Sequence, residues 1–262
     1  MSTSMGYDIQ FASGLDERQP VVILLDASGS MARPASSPRI DEVNSALTTL
    51  FESVRSQARL RARVEICLIT FGSQVRVYDA EASALVSAEQ ADPDRVFVPV
   101  DRLSPPPLTA AGYTCLAPAL DIALRIVVER RRALEAHRLS VLRPLIWLVT
   151  DGAPSDERGR PLDAAELAPL ADRLRTAEAA PPPDGCVFLT IGVQGADRRL
   201  LEVLAPDATF MLEGLDFTEI LRFLLRSSDR VSSIGTAGEV HREVARQAAL
   251  QKAMSDLEEK HL

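Results

Sequence analysis

The chain is poor in sulfur and imidazole, with three cysteines and three histidines among 262 residues. Cys67, Cys115 and Cys186 are odd in number and scattered, which excludes a disulfide framework and reads as three core thiols in a reducing compartment. Neither they nor His137, His241 and His261 show the close spacing of a zinc site. Cys115 keeps a second reading, a redox-sensitive thiol near a helix N-terminus, beside that of a small buried hydrophobe. Basic excess is missing too: a net charge of −8 argues against nucleic acid and anionic membrane surfaces as partners. No apolar run approaches the ~20 residues that span a bilayer, and the N-terminus has neither a basic start nor a hydrophobic signal core. A cytoplasmic protein is expected. The phosphate cradle Gly-x-x-x-x-Gly-Lys-Ser/Thr, the zinc-protease pattern His-Glu-x-x-His and the nucleophile elbow Gly-x-Ser-x-Gly do not occur.

What is present is an ordinary globular composition, 46% hydrophobic and 25% charged, in a chain long enough for one large α/β domain. Its organising stretch is Val21-Val22-Ile23-Leu24-Leu25-Asp26-Ala27-Ser28-Gly29-Ser30-Met31. Five aliphatic residues without alternation read as a strand buried on both faces. Ligands of open parallel sheets bind beyond the carboxyl ends of the strands, which is where Asp26, Ser28 and Ser30 fall. Carboxylate and hydroxyl oxygens suit a hard divalent cation. By itself the pattern reads more readily as an ordinary turn and helix N-cap, where Ser and Asp are common for local hydrogen-bonding reasons.

Two further stretches bear on that choice. Pro107-Leu108-Thr109-Ala110-Ala111-Gly112-Tyr113-Thr114-Cys115-Leu116 delivers a threonine at the head of a helical pattern, and Leu145-Ile146-Trp147-Leu148-Val149-Thr150-Asp151-Gly152 is a second buried strand ending in Asp-Gly. With these motifs in this order, residues 20 to 230 resemble a von Willebrand factor A domain. The resemblance implies a metal-ion-dependent adhesion site made of Asp26, Ser28, Ser30, Thr114 and Asp151, holding Mg2+, with Ca2+ or Mn2+ as alternatives. It also implies an Asp or Glu from a partner protein as a further ligand; with no poised base or nucleophile motif beside these residues, no catalysis is expected. Within that superfamily, the stretches around Asp26, Ile69, Leu108, Leu148 and Leu221 look most similar to bacterial TerY-type proteins associated with tellurium resistance and stress defence, which often accompany kinases or phosphatases. Two other functions stay open: a metal-assisted phosphohydrolase using Asp26 or Asp156, and a protein whose cation only orders loops.

The remaining pattern alternates strands and helices: a helix from Ile40 to Val54, a strand from Val64 to Phe71 with a hairpin to Val75–Tyr78, and a helix from Leu116. Val96 to Val98 reads as extended, and Arg130, Arg131 and Arg132 as the solvated end of a helix. Asp156 and Glu157 read as turn acids, with metal tuning or partner contact as the alternative. A helix over 163–178, a strand over 187–192, a short helix over 200–204, a strand over 208–212 and a helix from Phe217 to Leu225 follow. The expected fold is α/β and doubly wound: a mostly parallel central sheet with one antiparallel edge strand and helices on both faces. Residues 1–19 read as an N-terminal arm, and 231–262 as a polar helical tail that frays or docks on a partner.

Overall fold

The computed structural model describes residues 17–54, 57–181, 184–212, 217–230 and 236–259. In chain order the elements are β1 (Glu17–Asp26), α1 (Arg39–Val54), α2 (Ala58–Arg63), β2 (Val64–Phe71), β3 (Val75–Asp79), β4 (Ala84–Ser87), α3 (Pro93–Val96), β5 (Val98–Pro99) and α4 (Leu116–Ala136). They continue with β6 (Ser140–Val141), β7 (Leu145–Thr150), α5 (Ala164–Ala179), β8 (Val187–Gly192), α6 (Arg198–Leu204), β9 (Thr209–Met211), α7 (Phe217–Arg230) and α8 (Ala237–Glu259).

The sheet runs β4-β3-β2-β1-β7-β8-β9. Strands β2, β1, β7, β8 and β9 are mutually parallel, while β3 joins β2 antiparallel and carries β4 as the other arm of a hairpin. The unbroken aliphatic strands occupy the middle because only there are both faces covered. Val21 to Leu25 in β1 and Leu145 to Leu148 in β7 have no exposed surface. Helices α1 and α7 pack together on one face, and α5 packs on α6 and is tied to α4 by the Arg173–Asp121 ion pair on the other. Right-handed crossovers require this division, since the chain leaves β1 toward β2 and later returns to β7 on the opposite side of β1. That reversal opens a crevice at the carboxyl ends of β1 and β7.

Three expectations need correction. Helix α4 does not end near Arg130 but continues to Ala136, and Arg130 and Arg131 are buried within it. Arg130 makes a two-pronged pair with Glu65 of β2, Nε to Oε1 at 2.8 Å and Nη2 to Oε2 at 2.7 Å, with Asp94 on Nη1. Burial of a guanidinium needs such partners, and a charge count along the chain cannot show them. Val96 closes the short helix α3, so the extended stretch begins only at Val98. The polar tail is not free over its first turns: Ala237, Val240, His241, Val244 and Gln247 of α8 are buried. There His241 meets Glu178 of α5 at 3.0 Å, and Ser227 of α7 donates to Gln247 at 2.9 Å. Of the expected arm, residues 1–16 lie outside the described residues, while Glu17, Arg18 and Gln19 already belong to β1.

Candidate metal centre

Asp26 is the last residue of β1, and the register that sets Leu25 against Val149 places it beside Thr150. Thr150 Oγ1 donates to Asp26 Oδ2 at 2.5 Å, and the Ser28 backbone N–H donates to Oδ1 at 2.8 Å. The residue has no exposed surface. Burial pushes its carboxyl up to about 6, against those two hydrogen bonds, which favour the charged form; nearby Asp151 adds to the rise.

Ser28 is extended, and the chain then tightens into a single 3-10 turn over Gly29–Ala32. The alternation turns both serines the same way, so that Ser28 Oγ and Ser30 Oγ stand 2.9 Å apart. Ser30 Oγ donates to Asp151 Oδ1 at 2.7 Å, and Arg39 Nη1 donates to Asp151 Oδ2 at 2.8 Å. Thr114 arrives on a loop fastened to the turn after β1 by backbone bonds, Ala111 N–H to Ala27 O at 2.8 Å and Gly29 N–H to Gly112 O at 2.9 Å. Gly112 is needed in that loop: its φ is +77°, and a Cβ there would lie 2.2 Å from Ser73 Oγ. Ser155 then braces Thr114 from β7's side, its Oγ accepting from Thr114 N–H at 3.0 Å and its own N–H donating to Thr114 O at 2.9 Å. A Cβ added to Gly152 would lie 3.6 Å from Thr114 Oγ1 and 3.7 Å from Ser30 Oγ, so both hydroxyls flank the same bare stretch of backbone. The structure thus brings Asp26, Ser28, Ser30, Thr114 and Asp151 to one place at the crevice.

Residues 21–153 match the von Willebrand factor type A domain. The chain belongs to that family. Among solved structures, this VWA domain is similar to a von Willebrand factor type A protein from Catenulispora acidiphila, at 18% identity and a TM-score of 0.52, over 81% of this chain and 43% of the other. It is also similar to the PilB minor pilin of Streptococcus sanguinis, at 11% identity and a TM-score of 0.51, over 84% of this chain and 63% of that one. A manganese-loaded TRAP protein from Plasmodium vivax aligns at 20% identity and a TM-score of 0.46, over 80% and 72% of the two chains. At such identities the likeness is one of fold. The chain spans less than half the length of the Catenulispora structure and under two thirds of the pilin. No curated protein is significantly similar to it in sequence.

The donor set of the VWA domain fits a hard divalent cation. All five side chains offer oxygen, and the two serine hydroxyls, hydrogen-bonded to each other at 2.9 Å, are also close to the ~3 Å that separates neighbouring ligands of an octahedral ion with ~2.1 Å bonds. Among the described residues no group of three His, Cys, Asp or Glu side chains is placed to hold a metal ion.

Sequence reasoning passes over the residues that hold these donors. Thr150 lies inside the Leu145–Gly152 stretch and Ser155 next to Asp156, but neither gives a signal of its own, and Arg39 falls just before the helix expected from Ile40. Asp156 braces its own turn: its Oδ1 accepts from the Arg158 and Arg160 N–H groups at 2.9 Å each. Those bonds, the one from Arg160 foremost, hold its carboxyl below the usual aspartate range. Cys115 is buried at the head of α4, its thiol donating to Asp156 O at 3.4 Å, and burial raises its pKa.

Proposed function

We propose that the chain is a metal-ion-dependent protein-interaction module. Asp26, Ser28, Ser30, Thr114 and Asp151 hold one divalent cation, Mg2+ by preference, and a partner protein adds an Asp or Glu side chain. The observation that carries this reading is the convergence of two carboxylates and three hydroxyls at the switch point of the sheet, with the serine oxygens already at ligand spacing. Bound there, the cation supplies a Lewis-acidic point open to an incoming carboxylate. The chain's own residues set its charge and shape: Asp26 and Asp151 carry the negative charge, Thr150 aims Asp26, and Ser155 fixes the height of Thr114.

The reading assigns no reaction to the chain. A phosphohydrolase would need a base free to act beside the ion. Asp156 is engaged by its own turn and by Arg160 Nε at 3.1 Å, which favours recognition over hydrolysis. A finer assignment rests on the motif stretches alone: a cytoplasmic TerY-type component of a bacterial stress or tellurite-resistance system, with a kinase or phosphatase as the partner. Among the described residues no helix is long and apolar enough to cross a membrane.

Affinity capture from the native host, with and without chelator, tests the proposal. Wild type in Mg2+ retains a partner, whereas chelated protein and Asp26→Ala do not, and purified protein turns over no phosphate ester with Mg2+ or Mn2+. Turnover that Asp26→Ala abolishes would establish the hydrolase instead. Capture indifferent to chelator, with a melting temperature that falls, would mean that the cation only orders loops.

A further inference from the structure

We propose that Arg39 is a built-in counter-charge to the metal centre, one that weakens cation binding and strengthens the pull of the loaded site on an incoming carboxylate. The proposal rests on the metal reading above and concerns what one residue does to it. Arg39 is the first residue of α1, and its Nη1 lies 2.8 Å from Asp151 Oδ2 and 3.4 Å from Ser30 O. The Asp151 side chain has no exposed surface while that of Arg39 is 20% exposed, so the guanidinium covers the carboxylate from the outside. Ser30 takes the other Asp151 oxygen, which leaves Arg39 as that carboxylate's one charged partner within salt-bridge reach among the described residues. Gly195, at φ +103°, passes close to the same segment: a Cβ there would stand 2.9 Å from the Asp151 backbone O, while Arg39 Nη2 would be at ordinary contact distance.

The consequence is one of charge. Two carboxylates and a divalent cation would make a neutral centre, to which an anion is drawn only weakly. With Arg39 held against Asp151, the same loaded centre carries one net positive charge. The guanidinium opposes entry of the cation across a few ångströms of largely buried space, where charges are poorly screened. It favours a carboxylate there for the same reason. Before any cation enters, it offsets the repulsion between Asp26 and Asp151.

Mn2+ alone is the probe for the first half of the proposal, titrated into chelator-stripped protein and followed by loss of the free-ion paramagnetic resonance signal. Arg39→Gln should bind Mn2+ about tenfold more tightly than wild type, and Arg39→Lys, which keeps the charge, should stay close to wild type. Acetate is the probe for the second half: by displacing metal-bound water it lowers the water-proton relaxation of the Mn2+-loaded protein. Arg39→Gln should need a several-fold higher acetate concentration for the same effect. Circular dichroism in chelator confirms that each variant is folded, and Arg39→Met replaces Arg39→Gln if the latter is not. Equal or weaker Mn2+ binding by the folded neutral variant overturns the inference while leaving the metal reading in place. If neither wild type nor any variant binds Mn2+, the metal reading fails and the counter-charge with it.

Discussion

Thr150 Oγ1 and Asp26 Oδ2 are 2.5 Å apart, joined across adjacent strands at the carboxyl end of the sheet. That bond ties down a carboxylate with no exposed surface and favours its charged form, against a burial that favours the neutral acid and prevails.

In chelator, Asp26 should therefore oppose folding at neutral pH. Its native pKa of about 6 lies above the unfolded value of 3.8, so between them the native state holds a proton that the unfolded chain has released. This contribution to stability is complete below the unfolded value and is lost as pH rises through about 6. Asn fits the same space, its oxygen accepting from Ser28 N–H and its amide donating to Thr150 Oγ1. Asp26→Asn should be more stable than chelated wild type by up to about 3 kcal/mol at pH 8, with the difference closing toward pH 4. Urea denaturation of both proteins across that range measures it. The same variant should show no gain in melting temperature on adding Mg2+.

Gly152→Ala should leave the fold intact and impair the centre. The new methyl would stand at ordinary contact distance from Thr114 Oγ1 and Ser30 Oγ, filling the space between them. A melting temperature in chelator within a few degrees of wild type, together with a much smaller Mg2+-induced shift, is the expected result. A full Mg2+ response would show that the space over Gly152 is not used.

Glu65→Ala should be among the costlier single changes in the chain, because it leaves the Arg130 guanidinium buried with only the exposed Asp94 as a charged partner. A loss of about 3–5 kcal/mol is expected, and Glu65→Leu combined with Arg130→Met should recover most of it. A double-mutant cycle by urea denaturation gives both numbers.

All three thiols should be silent toward Ellman's reagent in the native protein and reactive after denaturation. Cys67, Cys115 and Cys186 are buried, and burial pushes the Cys186 thiol up to about 12 and that of Cys67 higher still. A native thiol titrating at pH 8 within minutes would mean that Cys115, at the head of α4, is accessible.

The parts of this fold legible in the sequence are those whose burial is complete. Val21–Leu25, Val64–Phe71 and Leu145–Val149 announce central strands because no alternation is needed where both faces are covered. The hairpin arm Ala84–Ser87 gives no such signal, being half-buried at the sheet's edge, and α2 is too short for a helical period to develop. Arg130 and Arg131 mislead because their burial depends on Glu65, Asp94 and Glu135, and Glu65 and Asp94 lie far from them in the chain. At the centre, the residues with a motif could be picked out one by one. Thr150, Ser155 and Arg39 could not, since each acts through a bond to another segment that exists only once the sheet has formed.

Because β1 and β7 are neighbours in the sheet but lie far apart in the chain, the ribosome releases Asp26 and both serines long before Asp151. A nascent chain halted before Leu145 contains Ser28 and Ser30 but has neither Thr150 to aim Asp26 nor a second carboxylate opposite. Retention of a divalent ion during synthesis would therefore mark the moment at which the second half of the sheet docks on the first.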